Sequence, residues 1–187
     1  MEGGKKMRKP KVFIGVGHGG VDTGAVGCNG IERDINLIIA TELKRILNEN
    51  GVRAKRSRAS NKVHDTVQEE VEECNKYSPD VTVEIHMNAS ATHKGFGFEE
   101  WVFSDEGFHI ASCIMMYINN LPIYSRGIKY SRALYYTKNT KAPAVLIEGA
   151  FVDNYKDAYW CGKDGCKKLA EAYAKGIIKY LKEEKLL

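Results

Sequence analysis

The sequence predicts an α/β fold, a three-layer α/β/α sandwich with a central twisted, mostly parallel sheet. Three observations predict it. Short β-branched apolar runs recur at Val12–Val16, Val81–Ile85 and Ala144–Ile147. Longer segments with apolar residues at helical spacing stand between them. Strands alternating with helices in this way are joined by crossovers into a parallel sheet covered on both faces.

The elements follow in order. Val12–Val16 is a strand-length run ending in a loop that carries Gly17, Gly19, Gly20 and Gly24. Ile31–Asn50 places Ile31, Ile35, Ile38, Ile39, Leu43, Ile46 and Leu47 near helical period, and Gly51 stops it. Val52–Ser57 reads as a short strand. Val63–Tyr77 is polar but has Val63, Val67, Val71 and Cys74 on one helical face, ending before Ser78–Pro79. Val81–Ile85 is a strand running into His86, with a loop expected over Met87–Lys94. Phe96–Phe103 alternates as a strand would, and Phe108–Asn119 reads as a helix. An irregular stretch through Pro122 and Gly127 leads to Ala133–Thr137. Ala144–Ile147 is an apolar strand ending at Glu148–Gly149. Leu169–Leu181 closes the chain as a helix with Leu169, Ala172, Tyr173, Ile177 and Leu181 on one face.

The 187 residues fit one domain, expected over 11–187 behind a flexible lead-in at 1–10. With 43% hydrophobic and 28% charged residues, the composition is that of an ordinary globular protein and disfavours a disordered or coiled-coil chain. Apolar runs such as NLIIA and APAVLI are far too short to span a bilayer core of ~30 Å. MEGGKKMRKP lacks the long apolar stretch of a secretory signal, so synthesis in the cytoplasm without a signal peptide is expected. Five cysteines without a CxxC pair predict neither a disulfide framework nor a cysteine zinc site. A net charge of +4 favours residence on an anionic polymer without specifying which.

Ligands of open α/β sheets bind beyond the carboxyl ends of the strands. His18, His86 and Glu148 are all placed there. Two imidazoles meeting at one rim begin a zinc site, and Glu32, which opens the first long helix after the glycine loop, is the best third ligand. Two histidines and one glutamate leave a position for water, as a catalytic zinc site requires. Glu148, emerging from a dry strand into the same rim, suits a general base. Each residue alone also has an ordinary structural reading. A strand-end histidine is commonly hydrogen-bonded, a glutamate at a helix start serves the helix dipole, and Glu148 would suit a salt bridge. No local motif such as HExxH joins them.

Other groups receive structural readings. His64 and His93 are expected to be solvated and His109 to sit on a helix. Cys28 is expected to be buried or half-buried, and Asp22 to close the turn. Trp101, Phe96, Phe98 and Phe103 are expected in the core, with Trp101 open to a sugar-platform role. Arg53–Arg58 is expected to be a solvated strand edge, and Cys161 and Cys166 to flank a loop unpaired.

Five segments occur in order that resemble a known family. They are VFIGVGHGGVDTGAVG, GIERDINLIIATEL, VEIHMNAS, GFGFEEWVFS and APAVLIEGAFVDN. Together they resemble the zinc-dependent N-acetylmuramoyl-L-alanine amidases of the amidase-3 type, found in bacterial autolysins and phage endolysins. The resemblance covers most of Val12–Tyr180. It implies that His18, Glu32 and His86 bind Zn2+ and that Glu148 is the catalytic acid/base. It also implies a peptidoglycan (murein) substrate, cut at the amide between N-acetylmuramic acid and L-alanine, on a wall reached after release from the cell. No nucleic-acid partner and no membrane insertion are expected, and the chain is expected to be a monomer.

The chain departs from the family pattern at three places. Gly15-Val16 stands where Asp-Pro usually precedes the GHGG turn. Glu84 stands where a serine commonly precedes the second histidine by two residues. An arginine often seen at the start of the second helix has no counterpart in KVHDTVQEE. By strand alternation Glu84 shares a face with His86, and is expected to orient that ligand or line the site. Asn88 is expected either to position a sugar or peptide amide or to serve as a turn residue. The competing readings are a zinc carboxypeptidase-like peptidase and a wall-binding module with a vestigial site.

Overall fold

A computed structural model describes residues 8–62 and 66–187. His64 and the first residues of the helix expected over 63–77 lie outside the described residues.

Among the described residues, eight strands and six α-helices are interspersed along the chain. The strands β1 (Lys11–Val16), β4 (Arg53–Arg56), β5 (Val81–Asn88), β6 (Phe98–Val102), β7 (Ser125–Tyr130) and β8 (Ala144–Phe151) form one sheet in the order β4-β1-β5-β8-β6-β7. The first four in that order run parallel, β6 is antiparallel to β8, and β7 runs parallel to β6. The mostly parallel sheet predicted from the sequence is therefore present. Its central strands are buried on both faces, which is why β1 and β8 read as continuous apolar runs.

Helices α1 (Glu32–Glu49), α3 (Asp105–Ile118) and α6 (Lys163–Glu183) cover one face. Val12, Ile14, Val83, Ile85, Val145 and Ile147 meet Ile39, Leu43, Ile110, Ile114, Leu169 and Ile177 there, and all are fully buried. Each such side chain contributes about 1.5–3 kcal/mol of transfer free energy, so this layer holds most of the core. Helices α2 (Val67–Tyr77) and α4 (Tyr135–Asn139) cover the other face. That face is mixed in polarity, carrying buried Thr82 and Glu84 beside Phe13 and Tyr136. A short helix α5 (Ala158–Cys161) leads into α6.

Several boundaries differ from the sequence reading for identifiable reasons. α3 begins at Asp105, because Ser104 accepts a hydrogen bond from the Gly107 N–H at 3.1 Å and caps it. α2 opens on a capping box between Thr66 and Glu69. β7 forms inside the stretch expected to be irregular; Gly127, at φ 81°, sits where its register with β6 shifts. A two-residue hairpin, β2 (Val26–Gly27) with β3 (Gly30–Ile31), closes the glycine loop. Of the lead-in, Arg8 pairs with Asp80, and the buried Pro10 accepts from the Arg53 N–H through its carbonyl at 2.7 Å. Arg58 is not a solvated edge residue but is buried, whereas Cys28 and Phe103 are exposed. Among the described residues no helix is long and apolar enough to cross a membrane.

Candidate metal centre and catalytic site

The sheet and the glycine loop bring His18, Glu32 and His86 together. His86 lies inside β5, not beyond its end, and Glu148 likewise lies inside β8. Strand pairing depends on backbone groups, so the ladder continues through these polar residues. His18 follows β1 in a left-handed conformation, φ 63°, rare for a residue with a Cβ. The loop holds that conformation from several sides. The Gly17 carbonyl accepts from Asn36 Nδ2 at 3.1 Å and Arg58 Nη2 at 3.1 Å, and Arg58 Nε donates to the Val16 carbonyl at 3.0 Å. Strain stored at such a position marks a functional constraint.

The Glu32 carboxylate stands between the two imidazoles. Its Oε2 is 3.1 Å from His18 Nε2 and its Oε1 is 2.9 Å from His86 Nδ1. The Ala25 N–H donates to Oε2 at 2.9 Å and the Met87 N–H to Oε1 at 3.1 Å. Burial opposes ionisation here, but the hydrogen bonds and charges of His18 and His86 outweigh it and hold the carboxyl well below its usual range. Burial also works against charge on His18 and His86. Glu32 (for His18) and Glu84 with Glu32 (for His86) prevail, and both histidines are raised. Each imidazole is thus surrounded by groups that favour positive charge.

Three donors, one from each residue, lie within 4.8 Å of one another, close enough to share one cation. The far nitrogen of each ring is also engaged. His18 Nδ1 is 2.9 Å from Asp22 Oδ2, and His86 Nε2 is 3.4 Å from Glu84 Oε1. A carboxylate behind each ligating imidazole is the arrangement that fixes ring orientation and raises ligand basicity at metal sites. Space has been cleared for the rings as well. A Cβ on Gly17 would stand 2.3 Å from His86, and one on Gly24, at φ 60°, would stand 2.5 Å from His18 and 2.6 Å from Glu32. The donor set and this clearance fit a divalent metal with two histidines and one carboxylate.

Glu148 is the register partner of His86 across the β5–β8 ladder. Its Oε2 is buried and has no hydrogen-bond partner among the described residues. Burial pushes the carboxyl up to about 7, with His86 pulling the other way. A buried carboxyl raised in this way has the chemistry of a general acid or base. Glu84 is almost fully buried beneath His86, and Asn88 donates to Glu99 Oε1 at 3.1 Å. A cavity of about 490 Å³ opens beside the histidines, bordered by Glu70, Glu84, Tyr136 and Leu146.

Sequence reasoning missed three supports. Asp22 was assigned only to the turn; it closes the turn through Gly24 N–H and also holds His18. Glu70 enters the cavity from α2, and its position four residues before Cys74 on the apolar face was the available signal. Arg58, clamping the carbonyls before His18, had no local signal. A second group, His109, Cys113 and Glu183, also has donors close together. It lies on α3 and α6, beyond the opposite sheet face, and Lys179 already pairs with Glu183. His93 is exposed and contacts Asp153.

Comparison with known proteins agrees with this geometry. The family described as N-acetylmuramoyl-L-alanine amidase matches residues 12–179. An endolysin of Bacillus phage SPP1 is 33% identical over 184 residues, covering 93% of this chain and 67% of that protein. N-acetylmuramoyl-L-alanine amidase LytC of Bacillus subtilis is 32% identical over 177 residues, covering 90% of this chain. The chain spans only 35% of LytC's length. Among solved structures, amidase AmiC2 of Nostoc punctiforme superposes with a TM-score of 0.87 at 29% identity, covering 92% of this chain and 97% of that one.

Proposed function

We propose that this chain, which belongs to the N-acetylmuramoyl-L-alanine amidase family, hydrolyses the amide joining the lactyl group of N-acetylmuramic acid to the L-alanine of the murein stem peptide. The observation that carries this reading is the row formed by the two histidines bridged by Glu32 and, in register with His86, Glu148 with an oxygen unpartnered among the described residues. His18, Glu32 and His86 would hold Zn2+, which when bound supplies Lewis-acid polarisation of the amide carbonyl and a lowered pKa for water.

The chain's own residues supply the rest. Asp22 and Glu84 keep the two imidazoles in one orientation. Glu148 takes the proton of the attacking water at its buried carboxylate. It then delivers that proton to the alanine nitrogen as the C–N bond breaks, so the amine leaves neutral. Burial, which raises this carboxyl, and a bound dication, which would lower it, oppose one another and keep both protonation states within reach. The cavity beside the two histidines would receive the substrate.

Digestion of purified murein tests the proposal. New amino-terminal alanine, without new reducing sugar ends and abolished by a chelator, is the expected result. Release of terminal amino acids from free peptides with intact murein would indicate a carboxypeptidase-like enzyme. No cleavage by metal-loaded protein would indicate a wall-binding module with a vestigial site.

A further inference from the structure

We propose that Arg126 and Lys129 form a subsite for the free carboxylate of the second stem-peptide residue, an inference that rests on the amidase reading above. It begins from a row of side chains across the sheet. His86 is paired with Glu148 between β5 and β8, and Glu148 is paired with Glu99 between β8 and β6. Directly opposed residues on neighbouring strands face the same side, so Glu99 continues the row that carries the catalytic groups.

Glu99 is nearly buried and fully engaged. Its Oε1 accepts from Asn88 Nδ2 and Trp101 Nε1, both at 3.1 Å. Its Oε2 accepts from Arg126 Nε at 2.5 Å and Lys129 Nζ at 2.7 Å. Two cations therefore share one anion, and the cluster carries a net positive charge. The side chains of Arg126 and Lys129 are 33% and 32% exposed, against 5% for Glu99. A guanidinium has five N–H donors and an ammonium three, so donors remain for a ligand after Glu99 is satisfied. Both heads are held in place. The guanidinium lies 5.2 Å over the Phe151 ring and the ammonium 4.8 Å over Trp101. Such preorganisation lowers the ordering cost of binding.

The spacing suits one ligand class. Glu99 is one strand from Glu148, ~5 Å, and β7 is two strands away, ~10 Å. In murein the residue after L-alanine is a D-glutamate joined through its side-chain carboxyl, so its α-carboxylate is a free anion unless amidated. Two residues of extended chain separate that anion from the reacting carbon, ~7 Å. Arg126 and Lys129 reach back from β7 to Glu99, whose strand adjoins that of Glu148, so their heads stand on the same sheet face as the proposed proton carrier.

The test compares two muramyl peptides that differ only at this group, one with the α-carboxylate and one with the α-carboxamide. With this chain loaded with zinc, kcat/KM should favour the acid by about tenfold, mostly through KM, and the preference should shrink with added salt. Lys129→Met and Arg126→Gln should each bring the ratio toward one. If the cluster only staples β6 to β7, these variants would lower activity on both peptides together and leave the ratio intact, which overturns the proposal. A wild-type enzyme that cuts both peptides equally also overturns it, without any variant needing to fold. If wild type cuts neither peptide, the amidase reading fails and the subsite falls with it.

Discussion

His86 and Glu148 are direct partners in the β5–β8 ladder, one a metal-ligand candidate and the other a carboxyl with a buried oxygen that has no hydrogen-bond partner among the described residues. Adjacent parallel strands lie ~4.8 Å apart, so the sheet itself fixes the separation between the cation position and the base. A site built on strand residues is held more rigidly than one built on loops.

The ionisation of Glu148 sets the acid side of the activity profile. Burial raises the carboxyl from 4.5 to about 7, and a bound dication would draw it down again. The base must be ionised to accept a proton. Activity should therefore fall as pH drops through a midpoint between those two values. A pH series of kcat/KM checks this, and Glu148→Gln should remove about 10²–10⁴ of the rate at every pH.

Gly17 has no room for a side chain. A Cβ there would stand 2.3 Å from the His86 ring. Gly17→Ala should leave the circular dichroism spectrum close to wild type yet weaken zinc binding by about 10–100-fold, the loss typical when ligand orientation is disturbed. Competition with a metal-responsive dye measures it.

Asp22 holds the far nitrogen of His18 at 2.9 Å. Asp22→Ala removes that support while leaving all three donors present. Zinc affinity should drop by about 10–100-fold, and activity should return when excess zinc is supplied. Titration of activity against free zinc distinguishes this from a direct catalytic loss.

Glu100 lies in the apolar layer beneath α3 and α6, fully buried, with neither carboxyl oxygen hydrogen-bonded among the described residues. Burial raises its pKa well above 4.5. The folded state therefore keeps a proton that the unfolded chain releases. Its stabilising share is complete below the unfolded value and is lost as pH rises toward the folded one. Glu100→Leu should flatten the fall in stability with rising pH. At mildly alkaline pH it should stabilise the protein by about 1–3 kcal/mol in urea denaturation.

The sheet and its main helices were legible because apolar periodicity records burial directly. Ile35, Ile39, Leu43 and Leu47 lie on the buried face of α1 as their spacing predicted. His18, Glu32 and His86 converge because the glycine loop turns α1 back over the ends of β1 and β5, a return legible from chain order and glycine content. β7 was not legible. It is an edge strand with half-exposed residues and a glycine at its register shift, so no alternation marks it. Arg58 reads as a surface cation because, apart from the Asn61 side chain, it is held by backbone carbonyls such as those of Val16, Gly17 and Arg33, which leave no trace in residue identity. The Glu99 cluster depends on pairing between β6, β7 and β8, and only the assembled sheet brings its members together.

Zinc content and murein cleavage, measured on the same preparations of wild type, His86→Ala and Glu148→Gln, test most directly the division between a three-residue metal centre and a separate proton carrier. Wild type should hold one zinc per chain and cleave, Glu148→Gln should hold one zinc and not cleave, and His86→Ala should do neither. A Glu148→Gln protein that cleaves at the wild-type rate, or a His86→Ala protein that keeps its zinc, would contradict it.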